Sequence, residues 1–275
     1  MKPAEFDYLR AESPDEALDA LGRHGDDARV LAGGQSLMAM LNMRLAHQQI
    51  LVDIGRIEAW RYVRADAAMI EIGAGTTQAG LLAWPDLANT APMLAKALPH
   101  VGHLQTRSRG TVCGSLCHAD PSSELPLCLA VLNGEVVLNS AKASRTLAAK
   151  DFQTGMLSTA KRPDEIAVAA RFPVAEAGTG YAFEEIARRR GDFAIVAVAA
   201  AVRGSAVRIG VGGVADRPMV AEWTGPSETD MADALNGFAW EMGGFDDIHA
   251  TARYRRELVR RIGARVIKEA TACQS

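Results

Sequence analysis

Residues 29–36 read Arg-Val-Leu-Ala-Gly-Gly-Gln-Ser, a short apolar run that breaks on two glycines. Such a run is a buried strand, and paired glycines allow a tight turn with positive φ and close approach of the backbone to a ligand. A Leu/Met-rich stretch to about Leu45 then reads as a helix, and Ile50 to Ile54 as the next strand. Strand, glycine turn, helix and strand form a small βαβ unit. The helix would point unpaired N–H groups back at the turn, which makes the turn a candidate anion site.

Ahead of this unit, Ser13-Pro14-Asp15-Glu16 carries a capping hydroxyl, Pro at the first helical position and Glu three residues after the cap. A helix therefore starts there, runs to about Gly25 and buries Ala17, Leu18 and Leu21. A second unit follows, with a strand at 69–74, a helix near 93–101 and an irregular basic segment through Arg107 and Arg109. That segment runs into a second glycine turn, Gly110-Thr111-Val112-Cys113-Gly114-Ser115. A helix near 122–132 and a strand at 135–138 complete the unit. Hydroxyls of Ser36 and Thr111 can donate to a phosphate oxygen, so two such turns from separate subdomains suit a diphosphate held between them.

From Glu165 the pattern changes to long β-rich runs at 166–172, 181–187, 194–202 and 207–214, which read as an antiparallel meander. Two helices follow, near 231–238 and 248–267. The change of style near 173–180 sets the domain boundary. We expect a first domain over 1–175, with subdomains of about 1–57 and 58–175, and a C-terminal domain over 176–275. Arg253, Arg255, Arg256, Arg260 and Arg261 read as the wet face of the last helix, with Glu257 placed to pair with Arg261.

Bulk properties narrow the function. Charged residues make up 23% of the 275 and the net charge is -3, which gives no reason to expect nucleic acid or an anionic membrane as partner. The N-terminus lacks a secretory pattern and there is no apolar run long enough to span a bilayer, so a cytoplasmic location is expected. Cys113, Cys117, Cys128 and Cys273 have neither zinc-site nor ferredoxin spacing, so the chain should hold no iron–sulfur cluster or metal of its own.

The two turns and their surroundings resemble the FAD-binding medium subunit of the molybdenum hydroxylases, the family of carbon monoxide, xanthine and nicotine dehydrogenases. The resemblance covers nearly the whole chain. It includes Phe6-Asp7-Tyr8, Leu51-Val52-Asp53-Ile54-Gly55, Arg107 to Val112, His118-Ala119-Asp120-Pro121, Glu124-Leu125-Pro126, Arg162 to Ile166, Asp192-Phe193-Ala194 and Gly210 to Val214. It implies an α+β fold, with a two-subdomain FAD domain of the vanillyl-alcohol-oxidase-like type before a small C-terminal domain of antiparallel sheet and helices.

By the same resemblance the FAD diphosphate lies at Ala32, Gly33, Gly34, Gln35 and Ser36, flanked by Val30, Leu31 and Leu37, and at Gly110, Thr111, Cys113, Gly114 and Ser115. Val101 lies near the flavin ring, Glu124 accepts from ribityl hydroxyls, and Ile166 and Ala167 line the ring. His118 and Asp120 stand between these landmarks as further candidates, although Asp120-Pro121-Ser122-Ser123 is also a good turn. Cys113 departs from the family, which has glycine there. Gln35 stands where related oxidases carry the histidine that links FAD covalently, so FAD is expected to be non-covalent. No catalytic residue is expected, because the flavin ring does the redox chemistry.

The resemblance further implies a large partner with the molybdenum cofactor, a small partner with two [2Fe–2S] clusters, a dimer of heterotrimers, and electron transfer from those clusters through FAD to an external acceptor. It leans toward an N-heteroaromatic substrate. Two alternatives stay open at this point. A structural subunit that has lost FAD is kept open by Cys113. A free-standing NAD(P)H-dependent flavin reductase rests on Gly210 to Ala215, which matches G-x-G-x-x-G/A but sits among antiparallel strands. The run Arg188-Arg189-Arg190 reads equally as a solvated turn or as a contact at an interface or cofactor edge.

Overall fold

The computed structural model describes residues 2–225 and 227–274. The first subdomain contains β1 (Asp7–Arg10), α1 (Pro14–His24), β2 (Ala28–Leu31), α2 (Leu37–Asn42) and β3 (Ile50–Asp53). Its sheet has the order β1-β3-β2, and both pairings are parallel. Helix α1 starts where its sequence requires, with the Ser13 hydroxyl accepting from the Glu16 N–H at 3.2 Å. It buries Ala17, Leu18, Ala20 and Leu21. Helix α2 stops three residues short of expectation, because Arg44 takes φ 57° and turns the chain.

The second subdomain contains β4 (Val63–Ala65), β5 (Met69–Gly73), α3 (Gln78–Leu82), α4 (Leu87–Thr90), α5 (Pro92–Ala97), α6 (Leu104–Arg109), α7 (Val112–His118) and α8 (Glu124–Val131). It continues with β6 (Glu135–Asn139), β7 (Ser144–Ala148), α9 (Ala149–Phe152), a ribbon of β8 (Gln153–Gly155) and β9 (Ser158–Thr159), and β10 (Ile166–Pro173). The main sheet has the order β4-β5-β10-β6-β7 and every pairing is antiparallel. Two expectations are corrected here. The unit is not a second parallel βαβ, and β10 does not open the C-terminal meander but fills the centre of this sheet between β5 and β6. A buried strand has no alternation to betray its partners, so its run of Ile166 to Ala170 fits either sheet. The basic segment before the second glycine turn is also helical, as α6. It buries no residue, so it lacks the apolar stripe that would mark it.

The C-terminal part is a four-stranded meander, β11 (Thr179–Ile186), β12 (Val196–Arg203), β13 (Ala206–Gly212) and β14 (Met219–Thr224), followed by α10 (Glu228–Glu241) and α11 (Ala252–Ala272). Both faces of this sheet are covered. Tyr181, Phe183, Ala197 and Ala199 join the core of the first two subdomains, while Ala182, Val196, Val198 and Ala200 pack with α10 and α11. Period-2 alternation thus separates two apolar sets rather than an apolar and a polar one. Gly210 and Gly212 make the first packing possible. A Cβ on Gly210 would lie 2.9 Å from Leu127 Cδ1 of α8, and one on Gly212 would lie 3.0 Å from the Pro121 carbonyl oxygen. The glycines of the G-x-G-x-x-A match therefore serve strand-to-helix packing, and no strand-turn-helix phosphate loop is formed there.

The last helix starts at Ala252, four residues after the expected point. The Asp247 carboxylate accepts from the N–H groups of His249 and Ala250 at 2.8 Å and holds those residues in a turn. Arg255 does not belong to a wet face: it is 2% exposed and its guanidinium lies over the Phe245 ring at 4.3 Å.

Candidate functional site

The turn after β2 leaves the C-terminal end of a parallel strand, where open α/β sheets place their ligands. Its two glycines have different tasks. Gly34 has φ 72°, a conformation that disfavours any side chain. Gly33 lies against the second turn, so that a Cβ there would collide with the Arg109 carbonyl and lie 2.8 Å from Gly110 Cα. The two glycine turns are therefore in contact. Among the described residues, none of the backbone N–H groups of Gly33, Gly34, Gln35 and Ser36 finds an acceptor. Four consecutive unpaired donors are what an anion-binding turn requires, and a plain tight turn does not need them.

The second turn is held from behind. Thr77 and Thr111 form an isolated antiparallel bridge, the Gln78 N–H donates to Gly110 at 2.8 Å and the Val112 N–H donates to Thr76 at 3.2 Å. The Thr111 hydroxyl caps α7 by accepting from the Gly114 N–H at 3.0 Å, which leaves its proton free to donate. A Cβ on Gly114 would lie 2.6 Å from that hydroxyl oxygen, so glycine is required by the cap itself. Cys113 sits in the first turn of α7 with ordinary helical backbone, so the position does not demand glycine. Its thiol is directed at the Ile72 carbonyl oxygen, 3.7 Å away, and burial pushes its pKa well up.

Between the turns opens a cleft of about 650 Å³. The lining takes in most residues singled out from the sequence: Val30, the segment 32–37, Val101, Gly110, Thr111, Cys113 to Ser115, His118, Glu124, Ile166 and Ala167. Two candidates fall outside it. Leu31 alternates away from Val30 along β2. Asp120 accepts from the Ser122 N–H at 2.8 Å and shapes the turn before α8. The lining also contains residues the sequence did not mark. Arg29 and Lys161 lie near one another among them, with the Lys161 ammonium donating to the carbonyls of Arg162 and Glu165 and its pKa lowered by burial. Gln78 stands beside the second turn. Gly191, Asp192 and Phe193 are brought in by the loop between β11 and β12, where Gly191 lies against His103 and Gly102.

That loop contains the run Arg188 to Arg190, of which Arg189 pairs with Asp192 at 3.1 Å. Gly191 has φ 85°, and a Cβ there would lie 2.6 Å from His103 Cε1. Only its tip reaches the cleft: Arg188 to Arg190, read equally as a solvated turn or a contact at an interface or cofactor edge, do not line it, whereas the neighbouring Gly191, Asp192 and Phe193 do.

Titration behaviour differs among the acids around the cleft. Glu165, at the foot of β10, stays below the usual carboxylate range. Its burial opposes ionisation, but Arg145 at 2.7 Å and the Arg162 N–H at 2.6 Å outweigh it. Glu124 forms no ion pair among the described residues, and its own N–H and the more distant Arg107 do not offset its burial. Burial, reinforced by the charge of Glu185, pushes its pKa up to about 8. His118 is half-buried, and burial lowers its pKa despite the nearby Asp120.

A second cleft of about 690 Å³ lies beyond Ala32 and Thr111, lined by Arg10, Arg56, Arg61 and Arg109 among others. The unpaired donors and the capping hydroxyl of the two turns favour the first cleft as the ligand site.

Comparisons with known proteins agree with this geometry. Residues 4–175 match the family model of the FAD binding domain in molybdopterin dehydrogenase, and residues 181–270 match that of the CO dehydrogenase flavoprotein C-terminal domain. The chain is 34% identical to the 6-hydroxypseudooxynicotine dehydrogenase complex subunit alpha of Paenarthrobacter nicotinovorans, over 98% of this chain and 96% of that one. Among solved structures it superposes on carbon monoxide dehydrogenase from Hydrogenophaga pseudoflava with a TM-score of 0.93, 29% identity and complete coverage of both chains. It superposes on quinoline 2-oxidoreductase from Pseudomonas putida 86 with a TM-score of 0.91 and 32% identity, covering 99% of each chain.

Fold and cleft together define a flavoprotein subunit of the oxidoreductase class. The chain belongs to the FAD-binding medium-subunit family of the molybdenum hydroxylase-type dehydrogenases.

Proposed function

We propose that this chain is the electron-transfer subunit of a molybdenum-containing hydroxylase, taking electrons from [2Fe–2S] clusters on a small partner and passing them to an external acceptor. A large partner would hold the molybdenum cofactor and the substrate, and the assembly would be a dimer of heterotrimers in the cytoplasm. The observation that carries the reading is the row of four unpaired N–H groups at Gly33 to Ser36, abutting the Thr111 turn across Gly33. Those donors, the Thr111 hydroxyl and the cations Arg29 and Lys161 suit a diphosphate, and the cleft has the size of a cofactor site.

Bound FAD would supply the redox chemistry, exchanging electrons singly or in pairs. The chain's own residues bind and orient. The turns fix the diphosphate, Glu124 presents a carboxyl toward the ribityl chain, and Val101, Ile166 and Ala167 offer an apolar surface to the ring. Gln35 supplies no nucleophile: its amide donates to the Gly33 carbonyl at 3.2 Å, which supports a non-covalent flavin. All four cysteines are free, in keeping with a reducing compartment. Among the described residues, no helix is long and apolar enough to cross a membrane.

Acid precipitation of the purified chain tests the reading. Release of one FAD per chain into the supernatant is expected. Flavin retained on the polypeptide would overturn the non-covalent assignment, and release of a different nucleotide would overturn the cofactor.

A further inference from the structure

Gln78 is 4% exposed, opens α3 and lines the cleft. Its backbone is fixed to the second glycine turn through the hydrogen bond to Gly110. Its side chain is not used by the protein. Oε1 is buried with no hydrogen-bond partner among the described residues. A buried amide without partners is costly, and a leucine would fill the same space without that cost. An unsatisfied amide oxygen on a side chain that lines a cofactor-sized cleft therefore points to a partner in the cleft.

The position of the amide says which part of the ligand it meets. A Cβ on Gly110 would lie 3.0 Å from Gln78 Oε1 and 3.0 Å from the Thr106 carbonyl oxygen, so amide, carbonyl and glycine converge. Thr106 in turn packs on Gly102, next to Val101. Gln78 thus stands on the Val101 and Thr106 side of the second glycine turn. On the reading that this cleft holds FAD, we infer that the Gln78 amide hydrogen-bonds the flavin half of the dinucleotide and helps to select it over ligands that carry only the adenine half.

The test compares FAD with ADP, which keeps the diphosphate and adenine but lacks the ribityl chain and ring. The full chain, stripped of flavin, is titrated with each as wild type, as Gln78→Leu and as Gln78→Glu. Loss of one hydrogen bond in the leucine variant should weaken FAD roughly ten-fold. ADP affinity should stay as in wild type, and the thermal midpoint of the flavin-free variant should equal or exceed that of wild type. Equal weakening of FAD and ADP, or unchanged FAD affinity, would overturn the inference. Should the leucine variant fail to fold, Gln78→Glu keeps the size and polarity of the side chain, and the same FAD-to-ADP contrast decides. A wild-type chain that takes up no FAD would overturn the flavin reading itself, whereas wild-type uptake with an indifferent Gln78→Leu overturns only the role of Gln78.

Discussion

Arg255 on the last helix donates to the carbonyl oxygen of Gly213 at 2.7 Å, and the same nitrogen donates to Ile195 at 2.6 Å. Its other terminal nitrogen meets the Asp247 carboxylate at 2.6 Å. One buried side chain thus ties α11 to the end of β13 and the start of β12, and satisfies carbonyls that the meander leaves unpaired. Replacement by methionine should destabilise the chain by about 3–5 kcal/mol, the usual result of removing one partner from a buried charged network. Urea unfolding should show the midpoint falling sharply, while Arg253→Met on the exposed side stays within about 0.5 kcal/mol of wild type.

The contact between the glycine turns predicts that Gly33→Ala is worse for flavin binding than Gly34→Ala. The first forces the turns apart at the Arg109 carbonyl. The second strains one residue at positive φ, at a cost of about 1–2 kcal/mol. Both variants should keep their far-ultraviolet circular dichroism. Flavin-to-protein absorbance should drop at least ten-fold in Gly33→Ala, and equal flavin content in the two would refute the division of labour.

Glu124 gives the flavin-free protein a defined pH dependence. Its folded pKa of about 8 lies above the ordinary value of 4.5, so between these pH values the native state holds a proton that the unfolded chain has released. Stability from this residue is full below about pH 4.5 and is lost as pH rises toward about 8. Thermal midpoints measured across this range should decline in wild type relative to Glu124→Gln. Parallel curves for the two proteins would show that Glu124 ionises normally.

Cys113 should be inert to thiol reagents with or without flavin, because its sulfur faces Ile72 behind the turn and its pKa is raised. Peptide-resolved labelling should find Cys273, which is exposed, modified first. Preferential labelling of Cys113 after flavin removal would place the thiol against the cofactor instead. Cys113→Gly should preserve flavin binding, with a helix penalty of about 1 kcal/mol or less.

What the sequence disclosed was local chemistry. The Ser13 cap, the Gly33-Gly34 turn and the Thr111 turn each carry their signal within a few residues, and the cleft forms around the last two. What it concealed was juxtaposition. Gln78 reaches the cleft because β5 and α3 deliver it to the back of the second turn, and Phe193 because a loop of the last sheet folds over the first two subdomains. Arg255 sat in an arginine-rich helix whose charge suggested solvent, and only the tertiary arrangement of Asp247, Ile195 and Gly213 reveals it as buried. β10 was recognised as a strand and assigned to the wrong sheet, since an all-apolar run specifies burial but not a neighbour.

The placement of β10 bears on how the molecule is made. Its partner β5 ends at Gly73, yet β10 begins at Ile166, so a nascent chain must leave β5 without its inner neighbour until more than ninety further residues have emerged from the ribosome. Such long-range strand closure is slow and leaves apolar edges open to wrong pairing meanwhile. The parallel strands β1, β2 and β3 close within the first 53 residues, so one glycine turn can be in place long before the other has a sheet behind it. Cofactor capture is thereby deferred to a late stage of synthesis, and ribosome-stalled chains ending before residue 166 should emerge with a structured first subdomain and no affinity for flavin.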